Sequence, residues 1–231
     1  PEQSLLLHAE NWTVPKQLLV RTKKGNNKIT QLPFYTSLLD VRYTLPHKTD
    51  IEEKNGLRLF AKIPALIACS PAFFKNYPTD IRTVLSTIQD ASEILPALLE
   101  GGHSTIAGRF IGAFRNIGQH RLADDIQKTM SAAGYTIRVS DPFKAELPIK
   151  ISSNTACPGA TRLRILWHEM RTLIIERFPK PLNIKMDTKT YLKVMDDQYI
   201  LDAYHSLSIE GYQVSPELID KIRHGHWNPH Q

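Results

Sequence analysis

Residues 91–134 read ASEILPALLEGGHSTIAGRFIGAFRNIGQHRLADDIQKTMSAAG. They fall into three segments with apolar side chains at helical spacing, divided by capping residues and turn glycines, and predict three consecutive helices. Just upstream, AKIPALIACS and TDIRTVLSTIQ carry the same periodicity. Gly134 stops the last helix, and YTIRV after it is expected to add one further strand that closes the unit.

Ahead of these helices the pattern changes. Up to about residue 60, short β-rich runs alternate with turn signals: KQLLVRT, the turn GNNK, ITQLPFYTSLLDVRYTLP, and LRLF after KNG. They predict a small antiparallel sheet. Behind the helices, the Pro-rich, polar stretch DPFKAELPIKISSNTACPGA is expected to be a linker or extended arm. Three more helices follow in TRLRILWHEMRTLIIERF, DTKTYLKVMDDQYILDAYHSLSIEG and SPELIDKIRHG. In the first, Leu163, Leu166, Trp167, Met170, Leu173 and Ile174 form a wide apolar stripe, expected as core or domain interface. The predicted class is α+β and mostly helical: a small antiparallel sheet near the N-terminus, a helical middle and a three-helix C-terminal segment. The corresponding regions are 1–141, a linker at 142–160, and 161–231.

Composition sets outer limits. With 231 residues, 42% of them hydrophobic, the chain can bury a core. Its net charge of +6, from 29 basic and 23 acidic residues, permits contact with nucleic acid or acidic protein surfaces and excludes a polybasic tail. Two cysteines, Cys69 and Cys157, without CxxC spacing, predict reduced thiols in a cytoplasmic setting, with neither a disulfide framework nor a zinc ribbon. No apolar run approaches the roughly 20 residues of a membrane span. The start at Pro1 without methionine suggests a piece of something longer.

Within the long penultimate helix, about 100° per residue places Leu192, Met195, Tyr199, Ala203, Ser206 and Glu210 along one face. Glu210 is thus expected on a buried stripe at the helix C-terminus, where a carboxylate needs a cation, best an arginine that binds it bidentately. Arg162 or Arg171 could serve within the chain. The competing reading is a last turn that frays into water. Gly211 is expected to end the helix as its left-handed cap; Ser215 and Pro216 then start the next one.

SxxxEG, Ser206 to Gly211, resembles the inhibitory-helix motif of Fic-family proteins, in which Ser or Thr, three residues, Glu, and Gly or Asn recur. Among the eleven glutamates only Glu210 meets it. The text around it, YLKVMDDQYILDAYHSLSIEGYQVSPELIDKIRHGHWNP, is similar to the segment preceding the catalytic domain in a group of bacterial Fic proteins, and residues 91–143 resemble the N-terminal region of that group. The start, with RYTLP and NGLRLF, faintly resembles AbiEi-type antitoxin domains, which brings toxin–antitoxin architectures into view. The Fic resemblance implies the N-terminal, autoinhibitory part of a protein adenylyltransferase that moves AMP from ATP to a target-protein hydroxyl, with magnesium. It implies that Glu210 is the inhibitory glutamate, Ser206 its supporting hydroxyl and a Fic catalytic domain the partner. The catalytic motif HPFxDGNGRxxR is lacking here; the chain alone is therefore expected to be inactive, and it has no catalytic, cofactor or metal residue of its own to assign.

Other constellations have plainer readings. Lys16, Arg21, Lys23, Lys24 and Lys28, taken to cluster on the first hairpin, could meet a phosphate backbone or simply be solvated on an edge strand. This is the basis of an alternative function, a DNA-binding or antitoxin-like module without catalysis. EGGHST offers a helix start to an anion, or a glycine stop followed by a Ser104 cap. His224, His226 and His230 form a His-rich tail without a completing carboxylate or cysteine. His103, Ser104 and Asp124 lack the strained elbow of a hydrolase. Arg109, Arg115 and Arg121, six residues apart, spread around a helix.

Overall fold

Spacings of three and four residues put Ala107, Phe110, Ile111 and Phe114 on one face of a helix, and in the computed structural model all four are fully buried. The structure describes residues 1–143, 157–180 and 185–228. Its helices are α1 (Glu2–His8), α2 (Lys62–Ala68), α3 (Pro71–Asn76), α4 (Pro78–Ser86), α5 (Leu95–Glu100), α6 (Ser104–Asn116), α7 (His120–Ala132), α8 (Pro158–Arg177), α9 (Thr188–Ile209) and α10 (Pro216–Arg223). The strands are β1 (Gln17–Thr22), β2 (Ile29–Leu32), β3 (Thr36–Arg42), β4 (Ile51–Lys54) and β5 (Leu57–Phe60). The chain is α+β and mostly helical. It divides into two compact units, Pro1–Arg177 and Phe178–Gln231. Most of the linker predicted at 142–160 lies outside the described residues.

The core of the first unit lies among α1 to α7. α7 presents Leu122, Ala123, Ile126 and Met130 toward it, and Phe74 of α3 tilts against Phe110, ring centroids 6.4 Å apart. Each such fully buried ring stabilises the fold by about 1.5–3 kcal/mol over its exposed state. α1 and α3 lie outside the predicted helices. α3 still carries a readable start: Ser70 accepts the Phe73 N–H at 3.3 Å, and Pro71 sits at the first helical position. In α6 the predicted cap is displaced by one residue. His103 occupies the N-cap position without a side-chain bond, and Ser104 is already helical.

YTIRV forms no strand. Residues 135–140 run extended across α6 instead, and Ser140 donates its N–H to the Gly108 carbonyl at 3.1 Å. A Cβ on Gly108 would stand 2.1 Å from the Arg138 carbonyl oxygen, and one on Gly112 2.2 Å from that of Ser140. Two glycines one turn apart thus open a groove that takes a backbone, in place of a neighbouring strand.

The N-terminal sheet is mixed, in the order β1-β3-β2. β2 and β3 pair antiparallel, whereas β1 pairs with β3 in parallel, Gln17 opposite Ser37 and Thr22 opposite Arg42. β1 and β2 therefore share no hairpin. The loop between them crosses the end of β3, and Gly25 lies so close that a Cβ there would be 2.8 Å from the Arg42 nitrogen. A separate antiparallel pair, β4–β5, turns on Asn55 and Gly56, both at positive φ, as a two-residue hairpin requires. The β2–β3 turn reaches the same left-handed backbone with Phe34 (φ 60°) and Tyr35 (φ 57°). Bulky side chains there cost about 1–2 kcal/mol each.

α8 lies on α4 through its polar face. Thr161 and Ile165 are buried, Arg162 reaches Asp80, and Glu169 reaches Thr79 and Arg82. The stripe expected as core or domain interface is not core: Leu163, Trp167, Met170, Leu173 and Ile174 are exposed and Leu166 is half-buried. The ion pairs of Asp80 and Arg82, both nearly fully buried on α4, decide which face turns inward.

Candidate functional site

The last turn of α9 and its cap carry the residues of the SxxxEG motif, and α10 follows them. Asp187 starts α9 by accepting the Thr190 N–H at 3.0 Å and the Thr190 hydroxyl at 2.6 Å; these hydrogen bonds, the hydroxyl's first, hold its carboxyl below the usual range. At the far end Glu210 is the C-cap, still helical at φ −76° and ψ 0°. Gly211 follows at φ 85°. The Tyr212 N–H bonds the Leu207 carbonyl at 3.0 Å and the Gly211 N–H that of Ser208 at 3.1 Å. This is a Schellman stop, and the expected left-handed glycine cap is present.

α10 then packs back on α9. Ser215 caps it, accepting the Leu218 N–H at 3.2 Å, and Ser215 also hydrogen-bonds Glu217, holding that carboxyl low. Ile219 is the buried anchor. Arg223, at the end of α10, pairs with Asp196 and lies over the Tyr199 ring, 5.3 Å from its centroid. That bond to Asp196 raises the arginine's pKa further.

The stripe through Glu210 is not buried. On α9 the half-buried positions are Ile200, Ala203, Tyr204 and Leu207. At about 100° per residue, Ile200, Tyr204 and Leu207 centre roughly 100° around the helix from the predicted row Leu192, Met195, Tyr199, Ala203, Ser206 and Glu210, of which Ala203 alone is half-buried. α10 covers one flank, and apart from Ala203 the predicted row stays open: Leu192 is 59%, Met195 54% and Tyr199 51% exposed. Apolar side chains also emerge elsewhere around α9, at Tyr191, Val194, Leu201 and Ile209. A helix apolar on nearly every side is the kind that larger folds enclose. Ser206 and Glu210 are exposed, and no described side chain pairs with the Glu210 carboxylate. Arg162, one of its two suggested partners, is instead bound to Asp80 at 2.8 Å; Arg171 is exposed.

The remaining constellations are placed as follows. Asp124 is engaged by Arg115 at 2.9 Å, Arg109 donates to the Cys69 carbonyl at 3.3 Å, and Arg121 faces Asp125 at 3.9 Å. Arg109 and Arg115 thus make local contacts from α6, while Arg121 stands in solvent on α7. His224 is tied to Asp220, 2.9 Å from its carbonyl, and stacks with His226 at 6.2 Å; His230 lies outside the described residues. Among the described residues no group of three metal-ligating side chains forms, and no helix is long and apolar enough to cross a membrane. Lys16 lies at the turn end of the N-terminal sheet, beside Phe34 and Tyr35. Lys23, Lys24 and Lys28 lie at the other end, and Arg21 is drawn aside over the rings of Tyr43 and Phe60, at 4.5 and 5.0 Å. Sequence reasoning missed Arg42, Phe34 and Tyr35 as companions of these cations; Pro-Phe-Tyr in a hairpin turn was the available signal. Comparisons with protein-family models, curated proteins and solved structures find no match to this chain.

Proposed function

We propose that this chain is the N-terminal, autoinhibitory part of a Fic-type protein adenylyltransferase, with Glu210 as its inhibitory glutamate. The observation that carries the reading is the end of α9. Gly211 terminates the helix in a left-handed cap, so that Glu210 emerges exposed from the last turn, in line with the open row Leu192, Met195 and Tyr199. A catalytic domain seated on that row would remove apolar surface from water at about 25 cal/mol per Å². It would also bring an arginine to the carboxylate, where a bidentate pair is strongest once shielded from solvent. That arginine would otherwise hold ATP phosphate, and its capture would stop productive placement of the nucleotide with its magnesium. Ser206, one turn before Glu210 on the same row, supports the carboxylate. ATP, magnesium and the transferred AMP would belong to the catalytic domain; these residues supply only the obstruction.

The test joins the chain to its downstream catalytic domain and measures self-modification with labelled ATP. Glu210→Gly should raise incorporation at least about tenfold, the loss of one charged, desolvated pair. Incorporation equal to wild type, in a variant with unchanged circular dichroism, overturns the proposal.

A further inference from the structure

The N-terminal sheet holds most of the chain's excess charge. From Trp12 to Tyr43 there are six cationic side chains, Lys16, Arg21, Lys23, Lys24, Lys28 and Arg42, and one carboxylate, Asp40, in a chain of net charge +6. Asp40 offsets only one of the six, and its hydrogen bonds to the loop backbone, with Lys28 nearby, hold it ionised where it organises the loop. It accepts the N–H of Asn26 at 3.0 Å and that of Lys28 at 2.7 Å. The Thr22 hydroxyl accepts the Lys24 N–H at 3.1 Å, and the Asn27 side chain accepts the Arg42 N–H at 3.0 Å. With Gly25 pressed against the Arg42 backbone, the loop 23–28 is pinned, while Lys23, Lys24, Lys28 and Arg42 remain exposed. This is a pre-organised cationic end.

The opposite end of β3 is aromatic. Phe34 and Tyr35 are 93% and 101% exposed, and Lys16 and Val14 share their open depression. The same chain builds an equivalent turn from Asn55 and Gly56, which hold left-handed backbone without strain. Two large rings in strained positions, fully in water, gain nothing for the fold; such strain concentrates at binding sites. Along β3 the two ends are about 20 Å apart, a span of several nucleotides.

We propose that the N-terminal sheet binds single-stranded nucleic acid, with bases stacked on Phe34 and Tyr35 and the phosphate backbone following β3 toward Lys23, Lys24, Lys28 and Arg42. Exposed rings favour a single strand, whose bases are free to stack, over a duplex, whose bases are already stacked and paired. An acidic protein would match the lysines but leave the strained aromatic turn without a role. The proposal does not depend on Glu210.

Fluorescence anisotropy of the whole chain with a labelled oligothymidine of about 12 nucleotides, across a sodium chloride series, tests it. Binding should weaken steadily with salt. Replacing Lys23, Lys24 and Lys28 together by Glu should cost more than about tenfold and flatten the logarithmic salt slope by about 2. Replacing Phe34 and Tyr35 by Ala should cost about tenfold with the slope unchanged. All five side chains are exposed, so both variants should keep wild-type circular dichroism. Absence of binding at about 50 mM salt, wild-type affinity in either variant, or equal competition by a duplex or by polyglutamate overturns it.

Discussion

Arg162 on α8 donates through Nε to Asp80 on α4 at 2.8 Å, and the same carboxylate oxygen accepts the Asn11 side chain at 3.1 Å. Asp80 is only 5% exposed. One buried acid thus ties the segment after α1, 69 residues before it, and α8, 82 residues after it, to the central helix α4. A few ångströms along, Arg82 donates to Glu169 at 3.1 Å and to Asn116 at 3.1 Å, and lies over the Phe143 ring at 4.5 Å. Burial lowers the Arg82 pKa, and Glu169 opposes that shift.

Removing one partner of a buried pair leaves a charge without compensation. Arg162→Ala should therefore destabilise the chain by about 3 kcal/mol in urea unfolding. The double replacement of Arg162 and Asp80 by Met and Leu should recover most of that loss, since an apolar pair of similar size tolerates burial. A double variant as unstable as the single one would show that the contact is not what holds α8 to α4.

The two cysteines should separate by chemistry. Cys69 is buried, and burial pushes its thiol up to about 12 from an ordinary value of 9.0; Cys157 is exposed. Because the thiolate is the reactive form, iodoacetamide at pH 8 should add one carbamidomethyl group quickly, at Cys157, and none at Cys69 without unfolding. The folded-state value lies above the unfolded one, so the stabilising contribution is complete below about pH 9 and is lost as pH rises toward 12. Rapid double labelling of the native chain, read by peptide mass, would contradict the burial of Cys69.

Helical periodicity was legible wherever a helix meets a core on one side, as in α6 and α7, and the KNG turn announced β5, whereas its partner β4 was not read. Other features depend on neighbours that the local pattern does not contain. YTIRV has strand composition, yet Gly108 and Gly112 offer its backbone a groove on α6. The parallel pairing of β1 with β3 follows from a loop pinned by Asp40 and Asn27, not from alternation in either strand. α8 turns its polar face inward because Asp80 and Arg82 need partners, which reverses what an apolar stripe suggests. On α9 the angular position of Glu210 was correct relative to Leu192 and Tyr199, but α10 covers the adjoining flank. The row expected to be buried is open for that reason.

The stop at Gly211 can be tested separately from the carboxylate before it. At φ 85° the residue is left-handed, and a Cβ there would meet nothing within 4 Å. Any penalty for a side chain is then backbone strain rather than collision. Gly211→Ala should cost about 1 kcal/mol and fray the last turn of α9, seen as faster hydrogen exchange at the Tyr212 amide, which bonds the Leu207 carbonyl. Gly211→Asn should keep most of the protection, because asparagine enters the left-handed region more readily than alanine. Either residue would end the helix so that Glu210 stays in its final turn. Equal loss of protection in both variants would mean that Glu210 is held by something other than this cap.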